Sequence, residues 1–154
     1  MPRHFESRTL PHGPERMFDL VADIESYPQF LPWCVGARIL ARRGNVVEAD
    51  LMVGFRMLRE TFSSEVTLER PDRIDVRYTR GPLRYLHNQW LFSPEGTGCR
   101  IDFDIDFEFR SRLLRKMMEP LFHEAVRRMV QAFSQRATAL YDEPRAARPR
   151  PSAG

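Results

Sequence analysis

Asp102, Asp104 and Asp106 recur at every second position of one segment, and their spacing is the first in this chain to invite a metal ion. On a strand, side chains two apart share a face at a separation of about 7 Å, too wide for one ion without other ligands. The stripe therefore predicts a wet face whose carboxylates pair with basic residues on adjacent strands. His123-Glu124 lacks the second histidine of the zinc motif H-E-x-x-H, because position 127 is Arg, so His123 reads as a surface or helix-terminal residue. Cys34 and Cys99 show neither C-x-x-C spacing nor a histidine at an activating separation. They read as structural thiols, not as nucleophiles, zinc ligands or a disulfide framework. Arg127-Arg128, with Arg136, could meet phosphates of a lipid or an RNA, but a solvated helix face is the default for such a run. Arg59-Glu60 opens a strand, where it could help to close the mouth of a cavity. General acid–base chemistry needs a titratable group placed against its substrate. The inward positions of the best-defined strands are apolar apart from neutral residues such as Ser64 and Asn88, so a non-catalytic role is expected.

The element that must position these residues is a strand running into a long helix. Ile101, Phe103, Ile105, Phe107 and Phe109 alternate with Arg100, Asp102, Asp104, Asp106, Glu108 and Arg110, which gives one greasy and one wet face. Beyond Ser111 the spacing becomes helical: Leu114, Met118, Leu121, Phe122, Ala125, Met129, Ala132, Phe133, Ala137 and Leu140 make a broad apolar stripe. A short helical turn over Leu113–Met118 precedes the main helix, with Pro120 expected in that helix's first turn.

Upstream, a strand around Arg3–Leu10 is broken by Pro11-His12-Gly13-Pro14, and Pro14-Glu15-Arg16 opens a helix that buries Met17, Phe18, Leu20, Val21 and Ile24. Tyr27-Pro28-Gln29-Phe30-Leu31-Pro32-Trp33-Cys34 suits neither helix nor strand, since each proline removes a donor and restrains its neighbour. It is a mobile lip over an opening, a patch touching a membrane, a boundary that suits Trp and Tyr, or a cap in which Phe30, Leu31 and Trp33 cover the core. Strands are then expected over Val35–Arg42, Val46–Met57, Arg59–Glu69, Ile74–Tyr78 and Tyr85–Ser93. Val47, Ala49, Leu51, Val53, Phe55 and Met57 share the inner face of one, and Phe62, Ser64, Val66 and Leu68 that of the next. Short turns between alternating strands predict an antiparallel meander.

At 154 residues, 42% hydrophobic and 29% charged, the chain has the composition of an ordinary soluble domain with a real core. The net charge of +3 is largely that of residues 143–154, where Arg145, Arg148 and Arg150 outweigh Glu143. A folded part near +1 argues against a dedicated DNA surface. No signal-like or membrane-spanning run is present, so a cytoplasmic location is expected. The division expected is a domain over 1–142 and a disordered Pro/Arg/Ala-rich tail over 143–154.

Strand, helix, about six or seven antiparallel strands and a long C-terminal helix define an α+β fold whose curved sheet wraps the last helix. This order is similar to the helix-grip fold of the START-like (polyketide cyclase/dehydrase-like, SRPBCC) superfamily. More narrowly, the chain resembles the ubiquinone-binding (coenzyme Q-binding) family, which in bacteria also carries the name ribosome association toxin RatA. The likeness rests on Tyr27–Cys34, Val53-Gly54-Phe55 with Leu58-Arg59-Glu60, Gly81-Pro82-Leu83 with Leu86 and Trp90, Phe103–Leu114, and Arg128-Met129-Val130-Gln131-Ala132-Phe133. It implies a protein that holds ubiquinone or a related isoprenoid lipid in a hydrophobic tunnel, in support of respiratory electron transport or ubiquinone biosynthesis. Contact with the inner membrane is implied too.

The RatA name implies instead binding to the large ribosomal subunit and a block on subunit association. A cyclase/dehydrase-like enzyme is the third reading. Under the tunnel reading, Phe30, Leu31 and Trp33 form the lip. Val53, Phe55, Phe62, Leu83, Leu86 and Trp90 line the tunnel from the sheet, together with Phe103 and Phe107. Phe122, Met129 and Phe133 line it from the helix. As a bare pattern these are core side chains; only the resemblance makes them a lining. No metal or cofactor is implied beyond the lipid itself.

Overall fold

The computed structural model describes residues 3–55 and 58–141, with the side chains at 55, 58 and 119 outside the description. The expected inward residues Phe55 and Met57, and the expected tail over 143–154, lie outside the described residues or side chains. The elements are β1 (Arg3–Leu10), α1 (Pro14–Ala22), a 3-10 helix (Ile24–Gln29), β2 (Cys34–Arg43), β3 (Val46–Phe55), β4 (Leu58–Glu69), β5 (Arg73–Arg80), β6 (Leu83–Glu95), β7 (Gly98–Phe109), α2 (Arg112–Met118), a 3-10 turn (Glu119–Leu121) and α3 (Phe122–Tyr141). This is the α+β helix-grip architecture expected from the sequence.

The strands form one antiparallel sheet in the order β1-β7-β6-β5-β4-β3-β2. Consecutive strands β2 to β7 meander through short turns, and β1 closes on the far side against β7, pairing Arg3 with Asp106 and Leu10 with Cys99. That junction is tight: a Cβ on Gly98 would stand 2.0 Å from the Leu10 carbonyl oxygen. Register shifts at Cys34/Gly36, Ile39/Ala41, Ser63/Ser64 and Leu83/Tyr85 insert extra residues. Each such bulge bends its strand and adds twist, which is how the sheet curls.

The acidic stripe of β7 is paired. Arg3 donates through two nitrogens to Asp104 at 3.2 and 3.0 Å, Arg100 donates to Asp102 at 3.1 Å and the Tyr85 hydroxyl to Asp106 at 3.2 Å. Among the described residues only Arg3 is a basic partner from a neighbouring strand; Arg100 belongs to β7 itself. On the same outer face Asp50 and Ser63 are buried, the Ser63 hydroxyl donating to Asp50 at 2.6 Å.

α3 crosses the concave face, and at about 1.5 Å per residue its 20 residues span about 30 Å. Its buried stripe is Phe122, Val126, Val130, Phe133 and Ala137, three or four apart. The expected stripe differs in detail, for Leu121 and Leu140 are exposed while Val126 and Val130 are buried. Pro120 is not in the first turn of the main helix but in the 3-10 turn before it. Lacking an N–H, proline breaks the α ladder there, between α2 and α3.

α1 starts as expected at Pro14 and buries Met17, Phe18, Leu20 and Val21. Trp90 sits at the centre of the core, with the rings of Phe103 and Phe133 edge-on at 4.7 and 5.1 Å.

Candidate functional site: an apolar interior in two chambers

Between the sheet and α3 the packing is incomplete, leaving a cavity of about 250 Å³. Its floor contains Ala49 and Ser64, paired across β3 and β4. Both side chains are too short to reach α3, and neighbouring Leu51, Phe62, Val66 and Val76 wall the gap. Val21, Ile24, Tyr27 and Leu31 close one side, Met129 and Phe133 of α3 another, and Trp90, Phe103 and Ile105 the deep end.

The polar groups in this chamber are few and mostly committed. Asn88 donates to the Asp104 carbonyl at 2.9 Å and accepts from Trp90 Nε1 at 3.0 Å, so it anchors the tryptophan. The Tyr78 hydroxyl accepts the Leu83 N–H at 2.8 Å. Gly81 makes room for that hydroxyl: its φ is +147°, and a Cβ there would meet Tyr78 Oη at 2.9 Å. Tyr27 donates to the Val21 carbonyl, and burial pushes its phenol pKa upward, so it stays neutral. The hydroxyl of Ser64, opposite Tyr78 across β4 and β5, has no hydrogen-bond partner among the described residues.

A second chamber of about 310 Å³ lies between the β3–β4 end of the sheet and the α2–α3 corner. Trp33, Pro82, Phe109, Leu114, Met118, Leu121 and Ala125 give it apolar walls. Its polar groups are Glu60, Glu124 and Arg128. Arg128 and Arg127 donate to the two Glu124 oxygens at 3.0 and 2.8 Å and hold that carboxyl below the usual carboxylate range. Exposed Leu121, Glu124 and Arg128 put this chamber at the surface. Val53 and Phe62 line both chambers.

Among the expected lining residues, Leu31, Val53, Phe62, Leu86, Trp90, Phe103, Met129 and Phe133 meet around the inner chamber, and Trp33 stands at the outer one. Leu83, Phe107 and Phe122 are buried core that borders neither chamber; Phe107 packs edge-on against Phe109 and Phe122 at 5.2 and 4.8 Å. Phe30 also stands apart, against Phe133 at 5.2 Å and beneath Arg136. Arg136 is more than a solvated cation, since it also donates to the Gln29 side chain at 2.8 Å. The stretch expected to be irregular over Tyr27–Cys34 ends the 3-10 helix at Gln29 and enters β2 at Cys34; within it Phe30 packs on the core, while Leu31 and Trp33 border the two chambers.

Two features escaped the sequence reading. Tyr78 and Ile74 were visible as alternate positions of β5 but were not placed at a cavity. His4, on edge strand β1, approaches His123 Nδ1 at 2.9 Å through its own Nδ1 and Glu6 at 3.0 Å through Nε2. Arg8 donates to the same carboxylate at 2.6 Å. Burial alone would raise the Glu6 carboxyl, but hydrogen bonds from His4 and Arg8 outweigh it and hold it below the ordinary value. This chain ties β1 to the start of α3, and no local pattern announces it.

The thiols are not activated: burial raises Cys34 and pushes Cys99 up to about 11.

A family profile described as polyketide cyclase/dehydrase and lipid transport matches residues 10–134. The chain belongs to this family. Within it, the chain is similar to the ribosome association toxin RatA of Rickettsia prowazekii, 38% identical over 135 residues that cover 85% of this chain and 92% of that one. It is also similar to the mitochondrial coenzyme Q-binding protein COQ10 homolog B of Xenopus laevis, 35% identical over 88% of this chain and 58% of that protein. Among solved structures, the 18 kDa protein CC1736 of Caulobacter crescentus superposes with a TM-score of 0.75 at 38% identity, covering 92% of this chain and 99% of that one. The family therefore joins cyclases with lipid transport, and no helix among the described residues is long and apolar enough to cross a membrane.

Proposed function

We propose that this protein binds ubiquinone or a similar isoprenoid lipid in its two-chambered interior without transforming it, in support of respiratory electron transport or ubiquinone biosynthesis. The observation that carries the reading is the apolar inner chamber, which shares the lining residues Val53 and Phe62 with an outer chamber that has Trp33 at its wall. Ligand sites typically measure about 300–1,000 Å³, so one chamber suits a ring or a few isoprene units and the pair suits both. Each Å² of apolar surface removed from water contributes about 25 cal/mol, so a prenyl tail alone supplies substantial affinity. The likeness to a coenzyme Q-binding protein points to the same ligand class. Cyclisation or dehydration would require a proton donor or acceptor against the substrate. The inner chamber offers hydroxyls and one amide already engaged with Trp90, which favours carriage over catalysis.

Mass spectrometry of a solvent extract from natively purified protein tests the reading. A prenylated quinone at a reproducible ratio to protein is the expected result. No lipid in the extract, with none taken up on titration, overturns it.

A second reading comes from the likeness to ribosome association toxins, which covers nearly the whole of the Rickettsia protein. It places function on the outer surface, as a contact with the large ribosomal subunit. Sedimentation of ribosomes after overexpression decides it: accumulation of free subunits supports the contact, and an unchanged ratio of subunits to joined ribosomes removes it.

A further inference from the structure

Helix α2 is apolar on two sides. Leu114 and Met118 line the outer chamber, whereas Leu113 and Met117, each one position earlier, are 67% and 56% exposed. Leu121, in the turn that follows, borders the chamber and is still 47% exposed. Leu113 and Met117 are four apart and so share a helix face of α2, and Leu121 follows in the 3-10 turn at its end. No described element covers them. The seven residues of α2, Arg-Leu-Leu-Arg-Lys-Met-Met, hold three cations and no acid. Arg115 turns back to Glu108 at 3.0 Å, but Arg112 and Lys116 have no acidic partner among the described residues.

We propose that α2 and its following turn dock the protein on an anionic lipid bilayer, with Leu113, Met117 and Leu121 entering the leaflet and Arg112 and Lys116 at headgroup phosphates. Long flexible apolar side chains bordered by cations with no acidic partner among the described residues complement such a surface on both counts: the apolar groups leave water, and the cations meet negative charge. An RNA surface would satisfy Arg112 and Lys116 and leave three large apolar groups wet. A protein partner would satisfy the apolar face but gives no reason for it to ring a cavity. The position of the face decides: its opposite side walls the outer chamber, so docking sets the mouth against the phase in which an apolar ligand dissolves. Only this last step rests on the carrier reading.

Co-sedimentation of the full chain with lipid vesicles tests the proposal. The probes are phosphatidylcholine vesicles and the same vesicles containing a minority of phosphatidylglycerol, both without quinone. The unmodified protein is expected to pellet with the mixed vesicles and much less with the neutral ones. Leu113→Ser with Met117→Ser should weaken partitioning at least about tenfold on mixed vesicles. Arg112→Gln with Lys116→Gln should lose about tenfold on mixed vesicles and little on neutral ones. All four side chains leave the described core untouched, so unchanged thermal midpoints will separate lost docking from lost folding. The proposal is overturned if the unmodified protein pellets with neither vesicle, or if the serine pair pellets as well as the parent. It is equally overturned if vesicles are ignored while the serine pair abolishes co-sedimentation with ribosomal subunits, since the face would then belong to a macromolecular partner. Because the vesicles carry no quinone, failure here leaves the lipid-extraction result standing, and an empty extract leaves vesicle binding standing.

Discussion

Val53 and Phe62 sit diagonally on the inner faces of β3 and β4 and face both chambers at once. A ligand that occupies both chambers must cross the boundary these two side chains share. Val53→Trp should plug it: a quinone with a short tail keeps its affinity, while a long-tailed one loses about tenfold or more, read by titration against intrinsic fluorescence. Phe62→Ala should widen that boundary and favour long tails, at a stability cost of about 2 kcal/mol. That is less than the roughly 3–5 kcal/mol of a fully buried phenylalanine, because Phe62 is only half-buried. Equal response of both tail lengths to Val53→Trp would mean that the chambers are not used in series.

Ser64 is the uncommitted hydroxyl of the inner chamber, and Tyr78 across from it keeps a proton free to donate while its oxygen accepts from Leu83. A ligand carbonyl lodged at this end would find both. Ser64→Ala should leave the unfolding free energy within about 0.5 kcal/mol of the parent. It should weaken a quinone about three- to tenfold, the worth of one hydrogen bond, and leave the matching hydrocarbon tail unaffected. An equal loss for quinone and hydrocarbon would place the headgroup elsewhere.

The Asn88–Trp90 contact makes a prediction on stability. Asn88→Leu is close in size and more apolar, yet it leaves the buried Trp90 Nε1–H without its acceptor at 3.0 Å. A stranded buried donor costs about 1–3 kcal/mol, more than the added apolar contact returns, so chemical denaturation should show a net loss of about 1–2 kcal/mol. A gain would mean that the indole finds another partner.

How far the sequence carried can be judged element by element. The two-residue alternation of β7 and the helical spacing beyond Ser111 specified strand, helix and inward face, because both periods follow from backbone geometry alone. The hollow was not legible in the same way. Phe103 beside the cavity and Phe107 away from it occupy equivalent inward positions on one strand, but Phe107 is covered by Phe109 and by Phe122 of α3, at 5.2 and 4.8 Å. The contact with Phe122 is a tertiary one that the strand's own spacing does not announce. Glu60 and Arg128 illustrate the same limit: each is an ordinary charged residue in its own element, and the fold brings both to the outer chamber.

The ionic chain at the edge of the sheet should make stability depend on pH in a defined direction. Glu6 accepts from His4 and Arg8, while His4 reaches His123 on α3. With its folded-state pKa held below the ordinary glutamate value of about 4.3, Glu6 stabilises the fold only while ionised. Its contribution is fully present above that ordinary value and is lost as pH falls through the lower, folded-state value. Glu6→Gln should therefore cost about 1 kcal/mol near neutrality, the usual scale for a hydrogen bond to a charged group, and progressively less as acid protonates the parent. Asp19→Asn is the control: its bidentate contact with Arg70 at 2.8 and 3.0 Å is exposed, and screened pairs of that kind contribute about 0–1 kcal/mol. Urea midpoints of the parent and both variants, taken from neutral pH down through about pH 3, should show the Glu6→Gln difference closing in acid. A difference that stays constant across that range would show that Glu6 acts by packing rather than by charge.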